Sequence, residues 1–533
     1  MKVLERLILP YLNASLSKAP SQHGFSPHHS TTSCLLPITQ RVTDSFNNRK
    51  PARRVGLCAI DFSKAFDTVD TTILLRKVAD SNLNPAIVRW LTAYLRGRQA
   101  CVLYMGSRSP YRTSFAGVPQ GSVISPVLFN FYVSTCPSES SILTSFADDF
   151  SIAESHVDPE ELELELSADL EEISAWADEL HLSISSSKTT VTHLSPNFHE
   201  HSYHPIVFLG QAVLPLNKFP TILGVTFDPL FRFNKHAEAV IGKGKKGLAV
   251  LRALAGVSWG QSKETLLTTY KAISQPYFTY ACPIWFPNCA KSHIDKMQDI
   301  QTAAMRIITG CHQMASVAHL HWETQLLPVE VHLRMLCQQY LASAMRPSHP
   351  AHATVTTPIY RPRAGTHEEL VRPPESLQSF CLDAITPYLT NGIVPENVYK
   401  SVITRIHTST VQQTRHSLEL NRVLDAIPPP ISPSEQLLPR EWRTTLSQLR
   451  SGFSKFLNSY LQRIGRARDD LCPHCLAHPH TTSHLFNCPT NPTPLSDIDL
   501  WINPIRVATF LKSSAPFDNL VDPPAPRPPP EPD

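Results

Sequence analysis

The stretch Ser145-Phe-Ala-Asp-Asp-Phe-Ser-Ile152 places two adjacent carboxylates, Asp148 and Asp149, between apolar residues. Its alternation predicts two strands joined by a tight turn that carries the acids. Earlier in the chain, Val55-Gly-Leu-Cys-Ala-Ile-Asp61 is a short apolar run that ends in an acid, as a buried strand does. A strand that ends at Asp61 beside this hairpin tip would gather three carboxylates at one edge of a sheet.

Three converging carboxylates suit a pair of divalent cations. Hard cations such as Mg²⁺ or Mn²⁺ prefer oxygen ligands, and two-metal sites for nucleotidyl transfer hold their ions roughly 3.5–4 Å apart. Without cations the carboxylates would repel one another. An isolated Asp-Asp pair is also a common surface turn, so the pair alone leaves both interpretations open.

Length, composition and charge bound the architecture. At 533 residues the chain can bury several cores, which predicts two to four domains. The apolar fraction of 42% is typical of a folded protein, whereas 47 prolines exceed the usual share of about 5%. The formal net charge is only +3, so charge distribution matters more than the sum. Two basic segments, 232–252 and 440–468, are predicted to contact a polyanion, and the acidic segment 160–179 is expected to face water.

Cysteine usage and apolar runs predict the compartment. Apart from Cys472, Cys475 and Cys488, the 12 cysteines show no framework spacing, which argues against a secreted disulfide scaffold. The short apolar run at residues 7–12 fits neither a signal peptide nor a membrane span, and no later run reaches about 18 apolar residues. We expect an intracellular protein of the nucleus or cytoplasm, not secreted and without a membrane partner. The oligomeric state is unknown from the sequence.

The periodicity of apolar residues predicts an α+β fold. Helices are expected over residues 1–17, 71–80, 85–97, 122–133, 159–181 and 235–346, and strands over 55–61, 141–153, 189–194, 206–214 and 221–227. A polar loop is expected around residues 22–33, and proline-rich breaks at 348–375 and 426–439 bound a third helical region. This order predicts an antiparallel sheet packed on helices.

A Cys/His set near the C-terminus predicts a second metal site. Its spacing is Cys472-x2-Cys475-x8-His484-x3-Cys488, which suits tetrahedral Zn²⁺ in a closed, structural site. His474, His478 and His480 lie nearby as alternative ligands. Unpaired cysteines in a loop are the alternative interpretation of the same residues.

Three motifs follow one another along the first part of the chain. They are Asp61-Phe-Ser-Lys-Ala-Phe-Asp-Thr-Val-Asp70, Gly117-Val-Pro-Gln-Gly-Ser-Val-Ile-Ser-Pro126 and Phe146-Ala-Asp-Asp149, preceded by Gln22-His-Gly-Phe25. Together they resemble reverse transcriptases of non-LTR (LINE-type, jockey-like) retrotransposons. The resemblance weakens between Tyr270 and Gly310. It implies a right-hand polymerase palm with partial fingers, a helical thumb and a C-terminal Cys/His zinc-binding region.

The resemblance also implies roles for individual residues. Asp61, Asp148 and Asp149 would hold two Mg²⁺ ions (or Mn²⁺), with the Phe62 carbonyl as an additional ligand. Phe66 matches the aromatic steric gate that favours deoxynucleotides, and its alternative is a core aromatic residue.

Further positions match the nucleotide-binding turn and the motif before it. Gln120 and Gly121 correspond to the turn that contacts the incoming nucleotide and template, where a small residue lets the backbone approach closely. Asn130 is a weaker candidate whose alternative is packing. Asp67 is expected to cap the following helix rather than bind metal.

Lys188 aligns with the lysine proposed to protonate the pyrophosphate leaving group. This chain has Ser185 where the family usually has Asn, and a solvent-facing lysine is the alternative. The segments Phe208-Leu-Gly210 and Leu223-Gly224 resemble strands of the hairpin that holds the primer.

The expected activity is RNA-directed DNA polymerisation with an RNA template, a DNA primer or target, and dNTPs. Because only 60 residues precede Asp61, we expect an N-terminally truncated protein. A catalytically inactive remnant that still binds nucleic acid is the alternative function, and a group II intron-type maturase or telomerase-like enzyme is a third. The predicted segments are 1–54 (partial fingers), 55–230 (reverse transcriptase palm), 231–346 (helical thumb or connection), 347–439 (proline-rich linker and helical region), 440–510 (basic helical region with the zinc site) and 511–533 (disordered proline-rich tail).

Overall fold

A computed structural model of the chain describes residues 2–48, 51, 53–137, 141–357 and 374–514. The chain divides into two compact units. Unit 1 comprises Met1–Ala239, Thr279–His293 and Leu333–Ile406, and unit 2 comprises Val240–Phe278, Ile294–His332 and His407–Asp533.

The described residues form both helices and strands, in agreement with the predicted α+β class. The strands are β1 (Arg54–Asp61), β2 (Arg98–Ala100), β3 (Leu103–Tyr104), β4 (Ser107–Arg108), β5 (Arg112–Ser114), β6 (Ile142–Phe146), β7 (Asp149–His156), β8 (Thr190–Leu194), β9 (Phe208–Leu209), β10 (Ala212–Val213), β11 (Thr221–Ile222) and β12 (Val225–Thr226). The helices are α1 (Lys2–Ser15), α2 (Thr31–Phe46), α3 (Ala65–Thr68), α4 (Thr71–Ala79), α5 (Pro85–Leu95), α6 (Ser125–Tyr132), α7 (Pro159–Glu179), α8 (Asn234–Leu254), α9 (Lys263–Ile273), α10 (Gln275–Thr279), α11 (Cys282–Trp285), α12 (Lys291–Thr309), α13 (Val317–Thr324), α14 (Val329–Ala344), α15 (His352–Thr356), α16 (Leu377–Ile385), α17 (Tyr399–Ser417), α18 (Arg440–Arg450), α19 (Asn458–Arg463), α20 (Thr482–Asn487), α21 (Asp499–Ile502) and α22 (Pro504–Ser514). Short 3₁₀ helices occupy Phe198–Ser202, Phe286–Asn288, Thr386–Tyr388 and Pro433–Leu437.

An antiparallel four-stranded sheet in the order β6-β7-β1-β8 forms the centre of unit 1. Its middle strand β1 is the predicted apolar run, and β6 and β7 are the predicted hairpin. The helix α7 packs against β1 and β7. The periodic apolar residues of this segment are buried, as predicted: Leu166, Leu170, Ile173, Ala177 and Leu180. The packing of α7 on the apolar face of the sheet therefore fixes the register of its strands, and the strand ends can carry polar groups.

The predicted starts of the helices at residues 85 and 159 are confirmed, whereas one predicted helix cap is wrong. Asn84 accepts a hydrogen bond from the Ala86 N–H ahead of Pro85, and Asp158 caps α7 in the same way. The prediction that Asp67 caps the next helix is wrong. Asp70 caps α4, because its carboxylate reaches the N–H groups of the helix's first turn, whereas Asp67 lies inside the short α3.

The helix α2 and the short hairpins between residues 98 and 114 were not predicted. Ser30 and Ser33 form a capping box at the start of α2, at the end of the expected polar loop. The helix is buried on most sides and contains Pro37, a residue that usually marks a helix break, which obscures the helical signal. The hairpins are exposed and only two or three residues long per strand, which leaves little apolar alternation to detect.

Unit 2 has its own apolar core, and that core corrects one prediction. The basic segment 440–468 was expected to contact a polyanion, yet Arg450 is fully buried and pairs with Glu323 at 3.2 Å. Arg443 is also buried and its guanidinium donates to Glu264 at 2.8 Å. Three of the arginines lie within α18, whose buried face packs on this core. The basic residues of this segment that remain exposed are Lys455, Arg463, Arg466 and Arg468.

Two predictions fall partly on residues that the structure does not describe. The helix α22 runs to Ser514, and the rest of the predicted proline-rich tail lies outside the described residues. The same holds for residues 358–373 of the predicted proline-rich break. Among the helices of the described residues, none combines the length and apolar character required to cross a bilayer.

Candidate active site

The structure brings the three predicted aspartates to neighbouring strand ends. Asp61 is the last residue of β1 and lies directly opposite Asp149, the first residue of β7. Asp148 lies in the two-residue turn between β6 and β7, since Phe146 pairs with Asp149 across the hairpin. The antiparallel register therefore places all three residues at one edge of the sheet.

Gln22 holds the turn that presents these acids. Ala147, beside Asp148 in the turn, has a φ of 61°, a left-handed conformation that a non-glycine residue adopts only where its surroundings support it. The fully buried Gln22 amide donates to the Ala147 carbonyl at 3.0 Å and accepts from the Ala147 N–H at 2.9 Å. The Gln22 side chain thus satisfies both backbone groups of the strained residue.

Gly24 and Asn130 complete this support. A Cβ atom on Gly24 would lie 2.3 Å from the Ala147 nitrogen, so only glycine allows the loop to approach the turn. The buried Asn130 amide donates to the Gly24 carbonyl at 2.8 Å, which makes Asn130 part of this support. Sequence reasoning missed the role of this loop. Its available signal was a glutamine and a glycine two residues apart in an otherwise polar loop.

The acidic edge has little positive charge to balance it. Lys188 Nζ lies 3.7 Å from Asp61 Oδ2 and is the one basic group within ion-pair distance of the three aspartates in the described residues. The buried Oδ2 atom of Asp61 has no hydrogen-bond partner there. Partial desolvation, followed by the negative charges of Asp148 and Asp61, raises the pKa of Asp149 above its ordinary value. The site therefore carries uncompensated negative charge.

The three carboxylates do not form a closed ligand shell on their own. In the described part of the chain, the group whose ligand atoms converge, all within 4.8 Å of one another, is the Cys/His set and not the three aspartates. Like charges repel, so wider spacing is expected for carboxylates held only by their strands. The backbone of Asp61 is nevertheless fixed, because its carbonyl accepts from the Ser185 N–H at 2.8 Å. Ser185 thus makes a main-chain hydrogen bond to Asp61 at the position where the family usually has Asn.

The two predicted phenylalanines of the Asp61 motif pack against different aromatic rings. The Phe62 ring is buried and meets Phe150 edge-on at 5.0 Å, so only its backbone is available to a ligand. The half-buried Phe66 ring stacks on Phe129 with centroids 4.2 Å apart. This stack fixes the plane of the Phe66 ring, which is consistent with both the steric-gate interpretation and the core interpretation.

The turn at residues 117–121 is anchored to the same motif. The Gln120 amide donates to Asp67 at 3.0 Å, and the Val118 N–H donates to the Phe66 carbonyl at 2.9 Å. Gly121 has a φ of 82° with open space where a Cβ would stand, so the backbone is accessible there. Both Gln120 and Gly121 are exposed, as expected for residues that meet a ligand.

Glu5 accepts hydrogen bonds from the residues that follow this turn, and this role of Glu5 was not predicted. Its buried carboxylate accepts from the Ser122 hydroxyl at 2.9 Å and from the Val123 N–H at 2.6 Å. Burial alone would raise the pKa of Glu5, but these hydrogen bonds outweigh it and lower the pKa. A lone acid within an apolar helical run was the sequence signal for this contact.

Comparison with known proteins shows similarity to reverse transcriptases. Residues 1–213 match the family described as reverse transcriptase (RNA-dependent DNA polymerase). Relatives include the probable RNA-directed DNA polymerase from transposon X-element of Drosophila melanogaster, 27% identical over 374 residues. Residues 1–213 are thus similar to reverse transcriptases, and the matching relatives come from mobile elements. The RNA-directed DNA polymerase from mobile element jockey of Drosophila funebris is 24% identical over 352 residues.

The matches cover most of this chain but less than half of each relative. The X-element match spans 66% of this chain and 40% of the relative, and the jockey match spans 64% and 38%. The chain thus spans about 40% of the length of the curated relatives it matches. The family match supports the predicted polymerase palm fold.

Solved structures with a partial likeness include telomerases. The telomerase of Candida tropicalis in complex with a TWJ fragment of telomeric RNA has a TM-score of 0.31 at 14% identity, covering 61% of this chain and 56% of that chain. Its apo form has a TM-score of 0.33 at 12% identity, covering 63% and 55%. These scores add nothing to the assignment of the reverse transcriptase domain.

The predicted Cys/His set comes together in unit 2, outside the reverse transcriptase domain. The Cys472 and Cys488 sulfur atoms lie 3.8 Å apart, and the Cys475 sulfur lies 3.3 Å from His484 Nε2. The four ligand atoms all lie within 4.8 Å of one another. His480, one of the alternative ligands, instead accepts a hydrogen bond from the Asn458 N–H at 3.3 Å.

Proposed function

We propose that this chain is an RNA-directed DNA polymerase in which Asp61, Asp148 and Asp149 hold two divalent cations. The observation that carries the proposal is the register of β1 and β7, which sets Asp61 opposite Asp149 with Asp148 in the adjoining turn. Lys188 is the single nearby cation among the described residues, so bound Mg²⁺ or Mn²⁺ would supply the missing positive charge. When bound, such ions polarise the phosphate and stabilise both the attacking and leaving oxygens.

The other residues of the site have roles in positioning the substrate. A primer 3′-hydroxyl would attack the dNTP in line and release pyrophosphate, with charge stabilisation supplying most of the rate. Lys188, whose Nζ lies 3.7 Å from Asp61 Oδ2, would donate a proton to the pyrophosphate leaving group. The Phe66 ring, held by its stack on Phe129, would exclude a 2′-hydroxyl, and Gln120 with Gly121 would face the incoming nucleotide.

Partners and compartment follow from this activity. We propose an RNA template, a DNA primer or target, and dNTPs as partners, within the nucleus or cytoplasm. The cysteines are all free thiols, which suits a reducing compartment. We keep the predicted division into partial fingers, palm, thumb, linker, zinc-bearing region and tail as part of the proposal.

We also propose that Cys472, Cys475, His484 and Cys488 bind a structural Zn²⁺ ion. Tetrahedral zinc with Zn–S bonds of about 2.3 Å requires sulfur atoms about 3.8 Å apart. The Cys472–Cys488 separation of 3.8 Å meets this requirement. Four protein ligands leave no open position, so the ion would stabilise the fold rather than react.

Primer extension on an RNA template tests the polymerase proposal. The purified chain should incorporate dNTP in a Mg²⁺-dependent reaction, and D148A/D149A should lose at least about a thousandfold in rate, since metal ligation is worth several kcal/mol. The matched control is D178A/E179A, which removes two adjacent exposed acids from the C-terminal end of α7. Equal incorporation by the wild type and D148A/D149A would overturn the proposal. An inactive wild type that still binds RNA would favour the remnant instead.

A further inference from the structure

Unit 2 contains a cavity that the proposed polymerase site does not use. Its volume is about 250 Å³, below the roughly 300 Å³ at which pockets for drug-sized ligands begin. The residues that line it are Arg422, Val423, Gly452, Phe453, Ser459, Tyr460, Arg463, Thr481, Thr482 and Ser483.

Two arginines converge on one aromatic ring in this cavity. The guanidinium carbons of Arg422 and Arg463 lie 4.9 and 5.8 Å from the centroid of the buried Phe453 ring. Neither arginine has an ion pair among the described residues, unlike Arg443 and Arg450 of the same unit. Two unneutralised cations beside one ring repel each other, so an anion between them would be stabilised.

The rest of the lining favours a nucleotide over a bare anion. Tyr460 meets Phe453 edge-on at 6.3 Å and stacks on His312 at 4.9 Å, which forms a continuous aromatic wall. The Thr481 hydroxyl accepts from the His484 N–H at 3.2 Å and so keeps its own proton for a ligand. Aromatic rings with arginines are the combination by which proteins hold unpaired bases and their phosphates.

We propose that this cavity binds one unpaired nucleotide of a nucleic-acid strand, with its phosphate held by Arg422 and Arg463 and its base against the Phe453–Tyr460 wall. The proposal deepens the proposed function and rests on it only for the kind of strand available, RNA or single-stranded DNA. It also gives a role to Arg463, which stays exposed in the basic segment 440–468, whereas Arg443 and Arg450 are buried in unit 2.

The test is binding of a labelled ten-nucleotide unpaired RNA, measured by fluorescence anisotropy on the full chain. R422Q/R463Q should weaken binding at least about tenfold, since it removes two charge-assisted contacts to one phosphate. The matched control R466Q/R468Q removes two exposed charges near Arg463 that do not line the cavity and should lose less than about threefold. Adenosine monophosphate should compete at lower concentration than inorganic phosphate, because only the former offers a base.

Each outcome decides the proposal. Equal weakening by the two double variants would show general attraction by the basic segment and overturn the cavity. Equal competition by inorganic phosphate and the mononucleotide would overturn the base contact. D148A/D149A should abolish primer extension yet keep the RNA affinity of the wild type. Failure of the polymerase proposal can therefore be distinguished from failure of the nucleotide-binding proposal. Thermal unfolding of each variant should match the wild type, as all four arginines are exposed.

Discussion

Truncating Gln22 tests whether support of the acidic turn matters for catalysis. In Gln22→Ala, the Ala147 N–H and carbonyl lose their side-chain partner, and the Gly24 N–H loses an acceptor at 2.8 Å. Leaving a buried polar group without a partner costs about 1–3 kcal/mol. The turn at Ala147 and Asp148 should therefore be destabilised by about 2–4 kcal/mol, less than the total stability of about 5–15 kcal/mol expected for a domain. The domain should stay folded while the turn relaxes.

Relaxation of the turn should appear in the kinetics. A displacement of about 1 Å at a reacting group can cost about a hundredfold in rate. We expect Gln22→Ala to lower kcat for dNTP incorporation by about that factor and to raise the Mg²⁺ concentration needed for half-maximal activity. The measurement is primer extension at saturating dNTP over a Mg²⁺ series, with the urea unfolding midpoint measured in parallel.

Gln40→Ala is the matched control for this truncation. Gln40 is a half-buried glutamine whose amide, within the described part of the chain, donates to Asp44 on the same helix at 2.8 Å and to no catalytic turn. It should leave kcat and the Mg²⁺ midpoint within about twofold of the wild type. If Gln22→Ala also stays within that range while remaining folded, the turn does not depend on this contact and the reasoning is refuted.

Phe66, the Cys/His set and His23 carry the remaining predictions. Phe66→Val should reduce the preference for dCTP over CTP at least about tenfold in kcat/KM, because the ring that meets the 2′-hydroxyl is gone; an unchanged ratio would leave Phe66 as a core residue. Removing metal with a chelator, or substituting Cys475→Ser, should lower the unfolding midpoint of the Cys/His region and release zinc detected by mass spectrometry. An unaltered midpoint in fully metal-free protein would contradict a structural ion. Burial, then the charges of His29, Lys18 and His349, lowers the pKa of His23 to about 3. Below about pH 6.5 the His23 side chain is therefore protonated in the unfolded chain but stays neutral in the folded chain. The free energy of unfolding falls as the pH drops from 6.5 towards 3, and it is lower by about 2 kcal/mol at pH 5. His23→Asn should lose this part of the pH dependence in urea unfolding at pH 7 and 5, and an unchanged difference would refute the assignment.

The acidic edge was accessible to sequence reasoning because its signals are local. A strand that ends in Asp61 and a hairpin with Asp148 at its tip are each visible within eight residues, and the antiparallel register follows once both pack by their apolar faces. The family match covers this same part of the chain. The roles of these residues stay predictions.

The supporting contacts were not accessible in the same way. Gln22 and Ala147 are 125 residues apart, and Glu5 meets Val123 across 118 residues. Nothing local marks a glutamine or a glutamate as the partner of a distant backbone group. Arg450 shows the same limitation, since a basic segment looks like a binding surface until a buried Glu323 is found beside it. Buried polar pairs follow from tertiary structure alone.

The most direct test of the account is electron paramagnetic resonance of Mn²⁺ bound to the chain. The sample would contain an RNA template, a primer that lacks its 3′-hydroxyl, and the next dNTP, so that the complex forms without reacting. The account predicts two Mn²⁺ ions, spin-coupled at a separation of roughly 3.5–4 Å, in the wild type and in D178A/E179A, and no coupled pair in D148A/D149A. A wild-type chain that forms the complex without a coupled pair, or a pair that survives in D148A/D149A, would contradict the claim that the strand ends of β1 and β7 hold the catalytic ions.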